Sequence, residues 1–466
     1  MNKLFRFTQV GRYRPGMDGN KQYHLRAMVL KGAAAFVIAS ATLAAQQAGS
    51  DQTDASQEQG GGLRGIPVTL AGQFFDHDFV NYTLFGNGVF DTNIATLQGN
   101  NVTNSNGFGW SAGGGVTASH TTRRSVLSLN YRGSYRRYGT AGYGNGTDQN
   151  LAVTYGLRLS RRWFMSLDAG AGIIFYGGGF YSIVPNAANT IITNPLSSQS
   201  RFLSTGANFT YQFTRRLSFV FGGSFFLNNY NYGGAFNSRG GSGQVSALYR
   251  TSARTTVGAT YSHSYYTYSG SVGQSTLDGV SLTLSHFFPN HWQASITVGA
   301  NRTHSSGVIT VPVSIILGQQ TVTGYVVGPY DRVSFVPSFQ GSITHYERRQ
   351  AVSISAGQGV VPGNGTFLTS RNVNINGIYS YSLQRSNFSL GGAYFRMSSI
   401  ANNVSQDYGT TNFSASYSYV LTRHLSANFR YDLIRYGGLF NYGDFVEHRL
   451  TFGIALTSKS IPLTLF

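Results

Sequence analysis

Eight charged residues in this 466-residue sequence share a feature of spacing. Arg132, Arg136, Arg158, Arg250, Arg430 and Arg449, with Asp168 and Asp432, all fall on the polar parity of segments in which apolar and small polar residues alternate. Guanidinium groups projecting from such rows into an enclosed aqueous space attract anions and repel cations. The same residues admit a structural role. Arg430 with Asp432, and Arg158 with Asp168, could neutralise each other as struts across a filled interior, because buried charges are normally paired. Both readings depend on register, since a slip of one residue sends every side chain to the opposite face.

Other chemistries find little support. The histidines after residue 48 (His77, His120, His263, His286, His291, His304, His345, His424 and His448) are scattered, mostly at segment ends. No phosphate-binding loop, paired-histidine metal motif or nucleophile elbow occurs in its required context. The glycine runs Gly113–Gly115 and Gly177–Gly179 lack the strand-to-helix setting of a phosphate cradle. Cysteine is absent, which excludes disulfides and thiolate metal sites. The reading is therefore of a non-enzyme with no cofactor and no metal. The net charge of +18 is dispersed over turns, which argues against a nucleic-acid partner.

The elements that would carry these residues are legible in stretches such as NFTYQFTRRLSFVFGGSF (Asn208–Phe225). Phe209, Tyr211 and Phe213 precede two arginines, and Leu217, Phe219, Phe221 and Phe225 follow them, with small polar residues between. Short turns of this kind recur at Thr121–Arg124, Ser160–Arg162, Thr214–Arg216, Thr251–Arg254, Pro289–His291, Glu347–Gln350, Gln384–Asn387 and Thr422–His424, most of them about 37–39 residues apart. That interval holds two membrane-length strands of about 10–14 residues and one longer connection. Rows such as Leu151, Val153, Tyr155, Leu157 and Leu159, or Leu450, Phe452, Ile454 and Leu456, each occupy one sheet face. The partner rows are Ser, Thr, Asn and Gly, as in Asn372, Asn374 and Asn376.

Composition selects the surroundings. Charged residues are 11%, against roughly 25% in soluble domains. Yet no run of about 20 apolar residues follows residue 48, so no helix is expected to span a membrane. Abundant Gly, Tyr and Phe in alternating segments indicate an all-β, transmembrane, antiparallel up-and-down β-barrel. Two strands between each pair of short turns, with two at each end, predict about 18 strands, within a bracket of 16–20. Strands are expected near 82–93 and 106–119 ahead of the first turn. The connections 177–199, 230–241, 305–329 and 361–369 are expected on the extracellular side. Of these, 305–329 is unusually apolar and is expected to form a protruding hairpin around Gly318–Gln320.

Domain boundaries follow. Residues 1–48 read as a signal peptide, with Lys31, the apolar run Gly32–Leu43 and small residues at Ala44, Ala45 and Ala48; Met28 is an alternative start. Residues 49–80 read as a flexible periplasmic lead-in, and 81–466 as the barrel.

Two stretches carry resemblances. FGNGVFDTNIA (Phe85–Ala95) looks like the opening strand of β-barrel porins encoded beside exopolysaccharide-export genes, with Phe90, Asp91 and Asn93 carrying the match. The terminal SIPLTLF, ending at Phe466, is similar to the signal by which the barrel-assembly machinery reads its clients. Pro462 interrupts that tail, and clean alternation stops near Thr457.

The expectation is a bacterial outer-membrane pore, passively passing small hydrophilic solutes with a mild anion preference. Outer-membrane lipid, the assembly machinery and the solutes are its partners. The first resemblance implies an alternative, an accessory barrel in polysaccharide export or surface assembly. A non-conducting structural or adhesive barrel is a third reading. Oligomeric state is left open.

Overall fold

The structure is a computed structural model that describes residues 78–98, 101–139, 145–176, 182–183, 191–192, 198–230, 237–269, 272–317, 320–347, 349–361, 369–400, 407–437 and 445–458. The expected signal peptide, nearly all of the lead-in and the terminal Phe466 lie outside these residues.

The strands are β1 (Phe79–Gln98), β2 (Asn101–Thr121), β3 (Ser125–Tyr138), β4 (Gly146–Arg158), β5 (Trp163–Tyr176), the two-residue β6 (Ser182–Ile183) and β7 (Ile191–Ile192), β8 (Ser198–Gln212), β9 (Leu217–Tyr230) and β10 (Ser238–Arg250). They continue with β11 (Thr255–Tyr268), β12 (Gly273–Phe287), β13 (Trp292–Leu317), β14 (Gln320–Tyr346), β15 (Gln350–Val361), β16 (Ser370–Ser382), β17 (Ser386–Ser399), β18 (Asp407–Val420), β19 (Leu425–Gly437) and β20 (Phe445–Thr457). β6 and β7 pair only with each other, in the connection before β8. The other strands form one 18-stranded antiparallel sheet. β1 returns to pair with β20 from Thr83↔Thr457 to Thr92↔His448, so the sheet closes. The closure satisfies backbone groups that would otherwise face hydrocarbon without a partner.

The wall has two opposed faces. Leu127, Tyr131, Leu151, Leu167, Phe221, Leu282, Ile296, Ile375, Phe413 and Phe452 are exposed, while Ser204, Ser246, Thr283, Asn374 and Thr410 on the opposite parity are buried. This is the inverse of a soluble domain. An exposed, continuous apolar exterior belongs in lipid, and an even-stranded closed barrel of this kind is an outer-membrane protein.

All eight expected short turns join consecutive barrel strands at one end, the periplasmic end by the usual asymmetry of loop length. Five of them share one device. The hydroxyls of Thr122, Ser160, Thr214, Ser252 and Thr422 each accept hydrogen bonds from the backbone N–H groups two and three residues ahead, at 2.9–3.3 Å. A Ser or Thr in this position replaces the partners that the ladder can no longer supply. The arginine pairs such as Arg215–Arg216 then complete the turn and lie exposed.

At the other end, two hairpins outgrow the barrel. β13 and β14 stay paired from Trp292↔His345 to Leu317↔Gln320, although β12 leaves β13 at Gly273↔Gly307 and β15 leaves β14 at Phe339↔Gln358. The expected protruding hairpin is therefore a continuation of two spanning strands, and the count stays at 18. β1 and β2 likewise pair as far as Gln98↔Asn101, which makes them longer than the 82–93 and 106–119 expected. Ladder pairing carried past the barrel rim explains the difference, because alternation at 93–108 is too polar to read as strand.

The chain has three tryptophans. Trp110 and Trp163 are exposed on the outer face, and Trp292 shares the outward parity of Ile296 and Val298. In reconstituted vesicles, lipids brominated near the headgroup should quench most of the tryptophan fluorescence, while aqueous acrylamide quenches little. Strong acrylamide quenching without bromine quenching would mean that this face is not wetted by lipid.

Candidate functional site: the lumen wall

The charged residues gather on one sector of the inner wall, around the seam where β20 meets β1. Register sets Arg449 of β20 directly between Asp432 of β19 and Asp91 of β1. Arg449 is 2% exposed and Asp91 0%. The Arg449 Nε donates to Asp91 Oδ1 at 2.5 Å, and its terminal nitrogen donates to Glu447 Oε1 at 2.7 Å. Asp91 also accepts the Tyr138 hydroxyl at 2.8 Å, across the intervening β2. Gly109 of β2 makes that reach feasible. A Cβ there would stand 2.6 Å from the Tyr138 ring, so only a glycine lets the ring lie across β2. Nearby, Arg136 pairs with Asp148 at 3.0 Å, and Arg430 forks onto Asp432 at 2.8–3.0 Å. The Arg132 guanidinium lies 4.5 Å from the Phe85 ring centroid, a cation–π contact worth about 0.5–2 kcal/mol.

Each expected lumen residue can now be located. Arg136, Arg449 and Asp432 are buried on the inner face; Arg132, Arg430 and Asp168 are half-buried there. Arg250 ends β10 beside its periplasmic turn, and Arg158 is exposed at the end of β4. The strut expected between Arg430 and Asp432 is made. The one expected between Arg158 and Asp168 is not. Register sets Asp168 opposite Thr154 and Arg158 opposite Phe164, four residues apart along β4, or about 13 Å. Asp168 instead occupies the space over Gly206, where a Cβ would meet its carboxylate at 2.6 Å.

Counting six lumen arginines against two aspartates misses Asp91, Asp148 and Glu447, all on the inner face. Parity was sufficient to find two of them: Glu447 is two residues from Arg449, and Asp148 is on the parity of Arg158. With these acids included, Arg136, Arg430 and Arg449 each have a carboxylate partner. Tyr138 and Gly109 are invisible to parity alone, since their role depends on which strands become neighbours.

On the opposite sector the inner row is mixed: small polar residues such as Ser204, Ser246 and Thr283 are joined at the extracellular end by apolar ones, contrary to a uniformly polar inner row. Phe202, Phe226, Tyr230, Tyr266, Tyr268, Leu277, Val336 and Val360 form one buried cluster on β8–β15. Glycines again make room: Cβ atoms at Gly172 and Gly240 would meet the Phe202 and Tyr266 rings at 2.6 Å. Tyr268 of β11 hydrogen-bonds Thr369 at 3.0 Å, and Ser275 of β12 bonds the same hydroxyl, which stands just before β16. The extracellular end of this sector is thus packed with side chains. Towards the periplasm lies a cavity of about 40 Å³, lined by Phe85, Asn87, Arg132, Asn387, Asn428, Arg430 and Thr451 among others. Arg132 and Arg430 are the charged residues of its lining.

No protein-family model and no curated protein matches this chain. Among solved structures it is similar to Acinetobacter baumannii OccAB4, at 8% identity over 82% of this chain and 99% of that one, with a TM-score of 0.39. It is also similar to the outer membrane protein opdK of Pseudomonas aeruginosa, at 11% identity over 81% and 99%, TM-score 0.40. A BenF-like porin from Pseudomonas fluorescens matches at 12% identity over 83% and 100%, TM-score 0.40. Likeness of this degree concerns barrel architecture and does not extend to function.

Removing one member of a buried ion network leaves its partner uncompensated. Asp91→Ala should therefore cost about 3–5 kcal/mol of unfolding free energy, and Tyr138→Phe about 1.5–3 kcal/mol for a bond to a charged acceptor. The double variant should fall short of the sum, because both residues share one network. Urea unfolding of the detergent-folded barrel measures all three; strict additivity would place the two residues in separate interactions.

Proposed function

We propose that this barrel is a narrow, passive outer-membrane channel for small hydrophilic solutes, with a mild anion preference. The observation that carries the reading is the periplasmic-side cavity. It is lined by amide, hydroxyl and aromatic side chains and two guanidinium groups, and among the described residues no carboxylate lines it. Positive charge at a constriction favours anions. The preference is mild because Arg449 and Arg136 are neutralised within the wall and Arg430 is tied to Asp432. Arg158 and Arg250, near the periplasmic rim, contribute to the entrance potential only.

The side chains packed at the extracellular end of β8–β15 support small conductance steps. It also gives the structural, non-conducting reading a concrete basis. The accessory role in polysaccharide export has one supporting feature: in the stretch Phe85–Ala95 that carries that resemblance, Phe85 lines the cavity and Asp91 anchors the ion network.

In planar bilayers the purified barrel should give small open steps of constant size, with a reversal potential on the anion-selective side in a KCl gradient. Arg132→Gln should move that potential towards zero by a readily measured fraction while leaving the barrel folded. Arg449→Gln should act on stability instead. Silence from correctly folded protein would favour the structural reading, and an unchanged potential in Arg132→Gln would remove that residue from selectivity.

A further inference from the structure

The arginines that the lumen does not use follow a second pattern, on the outside. At the extracellular ends of five strands an arginine stands on the outward, apolar parity: Arg137 of β3, Arg201 of β8, Arg239 of β10, Arg371 of β16 and Arg435 of β19. All five are exposed. Each closes an outward row that is apolar or small over the body of the strand. In β16 that row is Val373, Ile375, Gly377 and Tyr379; in β10 it is Gly241, Gly243, Val245 and Ala247.

On three of the five strands the spacing is the same. Ten residues towards the periplasm from Arg201, Arg239 and Arg371, on the same outward face, stand Tyr211, Tyr249 and Tyr381. Ten residues of tilted strand rise about 26 Å, which matches the apolar band of about 25 Å on such barrels. Tyr and Trp belong at the membrane–water interface. With that girdle at the periplasmic interface, the arginines stand at the level of the outer headgroups.

We propose that this outward arginine ring binds the phosphate groups of lipids in the outer leaflet, fixing the height of the barrel and holding a shell of phosphorylated lipid around it. The guanidinium fork matches phosphate oxygens in a bidentate way, and its stem lies along apolar surface while the head stays in the polar layer. Among the described residues, acids at the same level are fewer: Asp278, Asp331 and Asp407. Asp407 is paired with Arg396 of β17, and Asp278 stands directly opposite Arg302 of β13, so neither arginine is counted in the ring. The surplus is therefore positive, the sign a phosphate surface needs. Lysine is absent from the described residues, so the cations available there are the planar, fork-shaped kind.

The test uses the full mature chain refolded into phosphatidylcholine vesicles carrying a trace of spin-labelled phosphatidic acid or of spin-labelled phosphatidylcholine. The fraction of motionally restricted label reports which lipid the barrel surface prefers. Phosphatidic acid should be favoured, and Arg201→Gln, Arg239→Gln and Arg371→Gln combined should reduce that preference by about threefold or more. Arg215→Gln with Arg216→Gln, in a periplasmic turn, should reduce it less. Arg201→Gln and Arg371→Gln are read singly if the triple variant does not fold, and each should lower the preference. A triple variant, or both single variants, indistinguishable from the parent would overturn the proposal, as would an equal loss in the turn variant. Conduction plays no part in this readout, so a silent barrel that keeps its lipid preference would count against the channel and not against the ring.

Discussion

Backbone hydrogen bonding in hydrocarbon is the constraint from which the rest of the molecule follows. Every N–H and C=O inside the bilayer needs a protein partner, and a strand can obtain two only when its sheet closes on itself. The pairing of β1 with β20 supplies the last of those partners. Closure then divides the side chains by parity into those that meet lipid and those that meet one another. Long apolar and aromatic residues go outward, and the inner row is left to groups that must satisfy their polarity inside a confined volume.

That confinement explains the chemistry of the wall. Arginines on the inner face cannot shed their charge, and a buried carboxylate is strongly disfavoured without a partner. The seam answers both requirements at once, with Arg449 between Asp91 and Asp432 in register and Glu447 on its second nitrogen. Across the lumen the problem is solved by apolar packing, with glycines opposite the largest rings. Charge is thereby concentrated on one sector, and the open volume lies beside it. Under the channel reading proposed above, selectivity falls to the few charged groups that line that volume.

The two faces use one residue type for different ends. Inside, arginine is held by carboxylates of its own strand or of a neighbouring one. Outside, it stands at the boundary between the apolar band and water, ten residues from an aromatic girdle on several strands. Which of these roles a given arginine takes depends on a single step of parity.

The architecture is legible from the residues alone, because the period of two, the spacing of the short turns and the low charged fraction are local properties that survive without knowledge of contacts. The eight turns, the 18 strands and the outward rows could all be read there, and so could the Arg430–Asp432 strut, whose members are two residues apart on one face. Contacts between residues distant in the chain emerge only once the strands are assembled. Asp91 and Arg449 are 358 positions apart and meet only because the barrel closes. Tyr138 reaches Asp91 only because Gly109 lies between them on a neighbouring strand. Arg158 and Asp168 share a hairpin but not a level, a matter of register that composition does not encode. The packing of Phe202, Phe226 and Tyr266 into one cluster was likewise hidden, since an apolar residue on the inner parity reads as noise until the strands beside it are known.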